Sequence, residues 1–353
     1  MSQTIVLLDD RFLDHRTRDG HPESPERLAA IYAAIAADRE NLRYDEVTPR
    51  EATVNEIALN HSTEYIRSIE QTAGRAYVSL DPDTHTSAGT WEAARLAVGA
   101  VLSGIDLIMN HSGKRAFALV RPPGHHAEHS RAMGFCIFNN IAVGAQYLRS
   151  AHRLERILIF DWDLHHGNGT QHAFYSSADV LYLSVHQYPY YPGTGSLDET
   201  GQGQGAGYTV NIPLSGGQGD QDYAYIMEQI VAPAAVLFKP QFILVSAGYD
   251  IYHRDPLGTM QVTPHGFYSM AQTLVRLADE LCDGRILFAL EGGYHAEGIA
   301  QSVKYTLRAL ASASVDTIQA AEPGPRQRSI FEHTREIVNR VKKIHAKTGL
   351  LHS

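Results

Sequence analysis

Two carboxylates and an imidazole stand on alternate residues of Asp161-Trp162-Asp163-Leu164-His165-His166-Gly167-Asn168, directly after an apolar stretch over 157–160. In extended backbone, successive side chains point to opposite faces, which predicts Asp161, Asp163 and His165 on one face with Trp162 and Leu164 packed behind them. Buried at a strand end, such a group would cost on the order of several kcal/mol unless a cation or hydrogen-bond partners compensate. Asp250, in Ser246-Ala247-Gly248-Tyr249-Asp250 after another apolar stretch, is the candidate third ligand. One histidine and two carboxylates suit a divalent metal with an open position, as in catalytic zinc sites. Taken singly, each of the three would more simply be a capping aspartate or a hydrogen-bonded histidine; their joint placement at strand ends favours the metal. His125-His126 follow Pro122-Pro123-Gly124, a sequence built to turn sharply. They could be ligands themselves. A general base, however, must stand beside the activated water without being consumed as a ligand, and needs a partner on its other ring nitrogen. Asp161 and Asn168 are available for that.

These residues need a scaffold that gathers them. Apolar, β-branched runs predict strands over 5–8, 117–120, 157–160, 180–185, 208–212, 242–245 and 286–290. Helical patterns lie over 25–37, 88–103, 140–150, 223–238, 264–282, 296–312 and 330–347, the first with Ser24 as N-cap and Pro25 at its first position. Continuous apolar strands alternating with helices predict an α/β fold with a parallel sheet covered on both faces, whose ligands bind at the carboxyl ends of the strands. Four of those ends carry the unusual polar residues, after 117–120, 157–160, 242–245 and 286–290. The glycine-rich loop 201–207 lacks the Lys-Ser/Thr pair of a P-loop. The division expected is a catalytic domain over 1–320 and an extension over 321–353, with a Pro/Gly link at 322–328 leading to a basic helix packed on the domain.

Composition narrows the function classes. With 30 Lys and Arg against 39 Asp and Glu, the net charge is −9 and no basic stripe argues for direct nucleic-acid binding; a cationic substrate is easier to accommodate. Two cysteines, Cys136 and Cys282, make no disulfide framework. No apolar run approaches the roughly 18 residues of a membrane span, and the N-terminus lacks a signal-peptide pattern, so a cytoplasmic protein is expected.

The blocks Arg121-Pro122-Pro123-Gly124-His125-His126-Ala127-Glu128, Gly134-Phe135-Cys136, Asp161 through Thr170, Pro192-Gly193-Thr194-Gly195, Ser246 through Asp250 and Glu291-Gly292-Gly293-Tyr294 resemble the zinc-dependent histone deacetylase family. The early His21-Pro22-Glu23-Ser24-Pro25-Glu26-Arg27 is similar to its N-terminal signature. Trp162, Asn168 and the Glu-Gly-Gly-Tyr ending are more similar to the class II branch, which includes bacterial deacetylase-like amidohydrolases and acetylpolyamine amidohydrolases. The resemblance implies the arginase-deacetylase fold, a single domain with a parallel sheet of about eight strands. It further implies one Zn2+ per chain held by Asp163, His165 and Asp250, with Fe2+ as the alternative metal. His125 and His126 would be the catalytic pair, supported by Asp161 and Asn168, and Tyr294 the transition-state hydroxyl donor. Asp161, Asp163, His165 and the Ser184 carbonyl match a structural K+ site.

By the same resemblance Gly134, Phe135, Tyr191, Leu257 and Gly293 bind substrate. Leu257 occupies the rim position where the polyamine-specific eukaryotic branch carries glutamate; Glu128, Asp81 or Asp83 could supply an acid instead, or simply face solvent. Arginases share the fold but need further metal carboxylates where this chain has Gly167 and Tyr252, so a binuclear hydrolase is disfavoured. The expectation is an amidohydrolase that removes acetyl or other acyl groups from lysine-like amines. An acetylpolyamine or other small-molecule deacetylase is the alternative, and a non-catalytic acyl-lysine binding module the remote one. Oligomerisation is left open.

Overall fold

The computed structural model describes residues 4–111, 114–311 and 329–351. In chain order the strands are β1 Thr4–Leu7, β2 Asp45–Val47, β3 Val78–Ser79, β4 His85–Thr86, β5 Arg115–Ala118, β6 Ile157–Asp161, β7 Val180–Gln187, β8 Thr209–Leu214, β9 Phe242–Ala247 and β10 Ile286–Leu290. Eight of them form one parallel sheet in the order β2-β1-β5-β10-β9-β6-β7-β8, and β3 and β4 pair as a short antiparallel ribbon. Every residue of β6, β9 and β10 is buried, as a strand covered on both faces must be. Helices Thr90–Met109 and Asn140–Ser150 pack together, and Pro25–Ala37 and Pro264–Cys282 both pack on Ala296–Ala311. The site depends on adjacency: β5, β10, β9 and β6 are consecutive in the sheet, so the four polar strand ends open side by side.

Differences from the sequence reading have local causes. β2 has the pattern Asp45-Glu46-Val47, polar because it is the sheet edge, and so carries no apolar run to betray it. β5 begins at Arg115, whose guanidinium is 4% exposed and reaches Asp279 at 2.8 Å; it ends at Ala118 because the chain turns toward Pro122 and Pro123. Helix Thr90–Met109 runs straight through Gly104, which serves close packing: a Cβ there would lie 2.6 Å from Leu287 Cδ1. The stretch 223–238 is broken, with Asp220–Ile226 and Ala232–Phe238 joined by a π turn over Met227–Val231 that precedes Pro233, a residue with no N–H to donate. Ser24 occupies the N-cap position of Pro25–Ala37 without making a side-chain cap.

The link expected at 322–328 lies outside the described residues. Helix Glu332–His345 packs on β8 and on the π turn, burying Ile337, Val338 and Val341. Its start is fastened by Asp222 Oδ1, which accepts from Phe331 N at 2.9 Å and Thr334 Oγ1 at 2.7 Å. No helix among the described residues is long and apolar enough to cross a membrane.

Candidate metal and acyl-amide site

β6 ends at Asp161, so the alternation expected from extended backbone is produced another way. Asp161 Oδ1 accepts Asp163 N at 3.1 Å, and Asp163 Oδ1 accepts His165 N at 2.9 Å. Each carboxylate thus catches the backbone two residues on, in the manner of an Asx turn, while Trp162 and Leu164 are fully buried behind. His165 Nδ1 lies 3.1 Å from both Asp163 Oδ1 and Asp250 Oδ2. One ligand atom from each of the three falls within 4.8 Å of the others. Asp163 Oδ2 also accepts Gly292 N at 2.8 Å, and Asp250 Oδ1 accepts Leu164 N at 2.9 Å. The ends of β6, β9 and β10 are tied together through the same carboxylates.

Two buried carboxylates compete here for one imidazole. Burial and then the facing Asp163 push the Asp250 carboxyl up to about 6. Burial would raise Asp163 as well, but His125 and His165 hold it below the usual carboxylate range. A divalent cation would resolve that competition, and the donor set, one imidazole nitrogen and two carboxylates, is a normal one for zinc. The cradle leaves room for one: a Cβ at Gly248 would overlap the Asp163 carboxylate, and a Cβ at Gly292 would overlap those of both Asp163 and Asp250.

Both histidines of the tight turn after β5 reach this centre. Their ring centroids are 4.0 Å apart. His125 Nδ1 meets Asp161 Oδ2 at 3.1 Å, and that same oxygen accepts the Tyr182 hydroxyl at 3.1 Å. Although burial alone would lower its pKa, the Asp163 and Asp161 carboxylates raise His125 to about 10. His126 Nδ1 meets Asn168 Oδ1 at 2.8 Å; burial, followed by its cationic neighbours His125 and His165, holds it well below the usual imidazole range. His166 turns away, bonded to Thr194 and Gln171. Ser184 stands opposite Asp161 in the β6–β7 register.

A cavity of about 360 Å³ leads down to His126 and His165. Gly134, Phe135, Tyr191, Leu257 and Tyr294 line it, with Asp83 and Tyr190. Gly134 and Phe135 both have positive φ, at 57° and 68°, and Phe135 N is anchored on Thr84 Oγ1 at 3.0 Å beside β4. The Gly293 carbonyl accepts Arg27 Nε at 2.6 Å, directly before Tyr294 on the cavity wall. Of the three acids weighed for the rim, only Asp83 is on the wall. Asp81 Oδ1 holds the turn by accepting Asp83 N and Thr84 N, and Glu128 is engaged by Asn168 and His172.

Several contributors were passed over in sequence. Asp255 Oδ2 accepts Tyr294 N at 2.6 Å and Oδ1 accepts Leu257 N at 2.9 Å, so one side chain places both the phenol loop and the rim. Burial and the nearby Asp250 push its carboxyl up to about 7. Glu291 Oε2 accepts Gly124 N and His125 N at 2.6 and 3.1 Å, while Oε1 meets no donor among the described residues. Glu23, fully buried, pairs with Arg121 at 2.5 Å and Arg27 at 2.9 Å, and Arg27 continues to the carbonyls of Gly293 and Glu291. A carboxylate directly after an apolar strand was the available signal for Glu291; for Asp255 there was none beyond its proximity to Asp250.

The Histone deacetylase domain matches residues 21–310. A probable deacetylase of Archaeoglobus fulgidus is 36% identical over 356 residues, covering 98% of each chain. Human polyamine deacetylase HDAC10 is 38% identical over 322 residues, 88% of this chain and 46% of that protein. The crystal structure of the HDA15 HD domain superposes with a TM-score of 0.90 at 38% identity, covering 99% of this chain and 96% of that one. With the triad, the histidine pair and the cavity in one place, the chain belongs to the histone deacetylase family, with the arginase-deacetylase fold, and is an enzyme that deacetylates amides.

Proposed function

We propose that the chain removes acetyl or another small acyl group from lysine-like amines in a zinc-dependent hydrolysis. The observation that carries this reading is the cavity whose floor is His126 and His165 and whose walls are aromatic, a shape for an extended alkyl stem ending in an amide. Zn2+ held by Asp163, His165 and Asp250, or Fe2+ in its place, would supply Lewis acidity toward the acyl carbonyl and acidify a water. His126, with Nδ1 directed at Asn168, presents Nε2 to the floor and takes the water proton. His125, held by Asp161, is placed to help protonate the leaving amine. The Tyr294 hydroxyl donates to the developing oxyanion. Phe135 and Tyr191 exclude water from the stem. Asp161, Asp163, His165 and the Ser184 carbonyl would hold a structural K+.

Asp83 supports a second reading, in which the amine carrier is a small polycation such as an acetylated polyamine. Its carboxylate stands on the cavity wall, where a distal ammonium of the substrate would meet it. Leu257 adds no charge at the rim. Kinetics of metal-defined enzyme on acetyl-lysine peptides and acetylated diamines, each over several acyl lengths, separate the two. Asp250→Ala or thorough chelation is expected to abolish turnover on every substrate; full activity after either would refute the metal-dependent chemistry.

A further inference from the structure

Behind His126, on the side away from the cavity, a line of polar groups runs to the surface. Asn168 Oδ1 faces His126 Nδ1 at 2.8 Å, Asn168 Nδ2 donates to Glu128 Oε1 at 2.5 Å, and Glu128 meets His172 Nδ1 with Oε1 at 2.8 Å and Oε2 at 3.0 Å. Asn168 is 2% exposed, and the side chains of Glu128 and His172 are 18% and 51% exposed. An asparagine amide can turn either end toward its neighbour, exchanging acceptor for donor. An ionised carboxylate accepts only. Glu128 therefore obliges Nδ2 to face it, which leaves Oδ1 for His126; the His126 carbonyl at 3.3 Å and Met133 Sδ at 3.4 Å second this orientation as weaker, uncharged acceptors. An acceptor at Nδ1 requires the proton there, and the lone pair is left on Nε2.

We propose that Glu128 is a positioning residue for deacetylation: through the Asn168 amide it fixes His126 as the Nδ1–H tautomer, and His172 keeps Glu128 charged. Burial would raise the Glu128 carboxyl, yet His172 and Asn168 hold it below the usual range, consistent with a permanent anion. His172 is raised chiefly by Glu128, with Glu199 adding and Arg131 opposing. Since an amide does not pass a proton along, the line transmits orientation and not charge. The proposal rests on His126 being the base.

Its test is a double-substitution cycle read with 15N-histidine NMR on the metal-loaded protein. Glu128→Gln frees the amide pair to turn over and is expected to lower kcat about tenfold with KM within about twofold, as loss of an outer-shell partner does. Asn168→Asp sets two carboxylates against each other and should lower kcat similarly and displace the acidic limb of the pH profile. Combined, E128Q and N168D restore the polarity in reverse order, with glutamine donating and aspartate accepting, so kcat should recover to within about threefold of the parent. Additive losses in the double variant would overturn the proposal. So would a parent His126 carrying its proton on Nε2, a measurement that needs no variant to fold. Should the parent hydrolyse no acyl amine, the function assignment fails, while the tautomers of parent and Glu128→Gln still decide the part played by Glu128.

Discussion

Replacing Asp255 by asparagine changes one oxygen into an amide nitrogen and nothing else in size. In the native structure both oxygens accept, from Tyr294 N at 2.6 Å and Leu257 N at 2.9 Å. The asparagine can satisfy only one of these donors and must aim its own N–H2 at the other. Assayed at pH 8, above the value of about 7 to which burial and Asp250 push this carboxyl, a hydrogen bond to the charged group contributes about 1.5–3 kcal/mol, and facing donors at this range must separate. If the loss falls on the Tyr294 loop, the hydroxyl is displaced from the oxyanion, and at about 1.4 kcal/mol per decade the expected fall in kcat is about 10- to 100-fold. Steady-state kinetics on an acetyl-lysine peptide, with metal content measured in parallel, should show that fall with KM changed by less than about threefold. The decisive comparison is the same substitution in Tyr294→Phe. There the hydroxyl is already gone, so Asp255→Asn should add little, a non-additivity expected of groups acting through one another. An undiminished loss in that background, or a change confined to KM, would refute the claim that Asp255 works through Tyr294.

Tyr294→Phe alone is expected to lower kcat by on the order of 10²-fold, the size of a lost oxyanion donor; initial rates on the best substrate check it, and unchanged turnover would remove Tyr294 from the chemistry. Acid stability offers a different check. His61 is buried, with Nδ1 directed at the Glu128 carbonyl and Nε2 accepting Asn139 N at 2.9 Å, an arrangement that only the neutral ring satisfies. Burial lowers its pKa from 6.5 to about 4, so the unfolded chain binds a proton that the folded one refuses across that window. Its contribution is present above pH 6.5 and lost as pH falls toward 4, by roughly 3 kcal/mol in all. Urea unfolding between pH 7.5 and 5 should therefore fall less steeply with acid for His61→Gln than for the parent.

The fold was legible wherever burial is two-sided. Runs such as 286–290 are strands because both faces are covered, and their boundaries emerge from hydropathy alone. Edge and interior exceptions were hidden for the opposite reason, since Asp45-Glu46-Val47 has solvent on its flank and Arg115 buries a charge against Asp279, 2.8 Å away across 164 residues of sequence, and the Leu310 carbonyl. At the site, Asp161, Asp163, His165 and Asp250 could be grouped because they follow apolar strands. Tyr191 and Leu257 were reached only through the resemblance, since no spacing marks a loop residue as a cavity wall, and only the placed loops separate Asp83 from Asp81 and Glu128. Gly293, adjacent to Tyr294 in sequence, gives its carbonyl to Arg27 Nε at 2.6 Å, a contact that nothing in its motif announces. Glu23 and Arg27 pair at four residues' separation, but their further contacts, with Arg121 and with the Gly293 and Glu291 carbonyls, and those of Asp255 with backbone N–H groups, follow no spacing rule.

The floor and the mouth of the cavity differ in how many obligations each residue carries. Asp163 and Asp250 each give one oxygen to the backbone of another strand end, and Asp161 serves a histidine, a tyrosine and its own turn. Tyr190 and Tyr191, each 38% exposed, and Leu257 and Asp83 stand on loops at the other end. A library that randomises the mouth therefore samples amine carriers while leaving the hydrolytic centre assembled. One that randomises the carboxylates at the floor cuts the hydrogen bonds that tie the ends of β6, β9 and β10 together, and its survivors would be selected for folding before selectivity is ever tested.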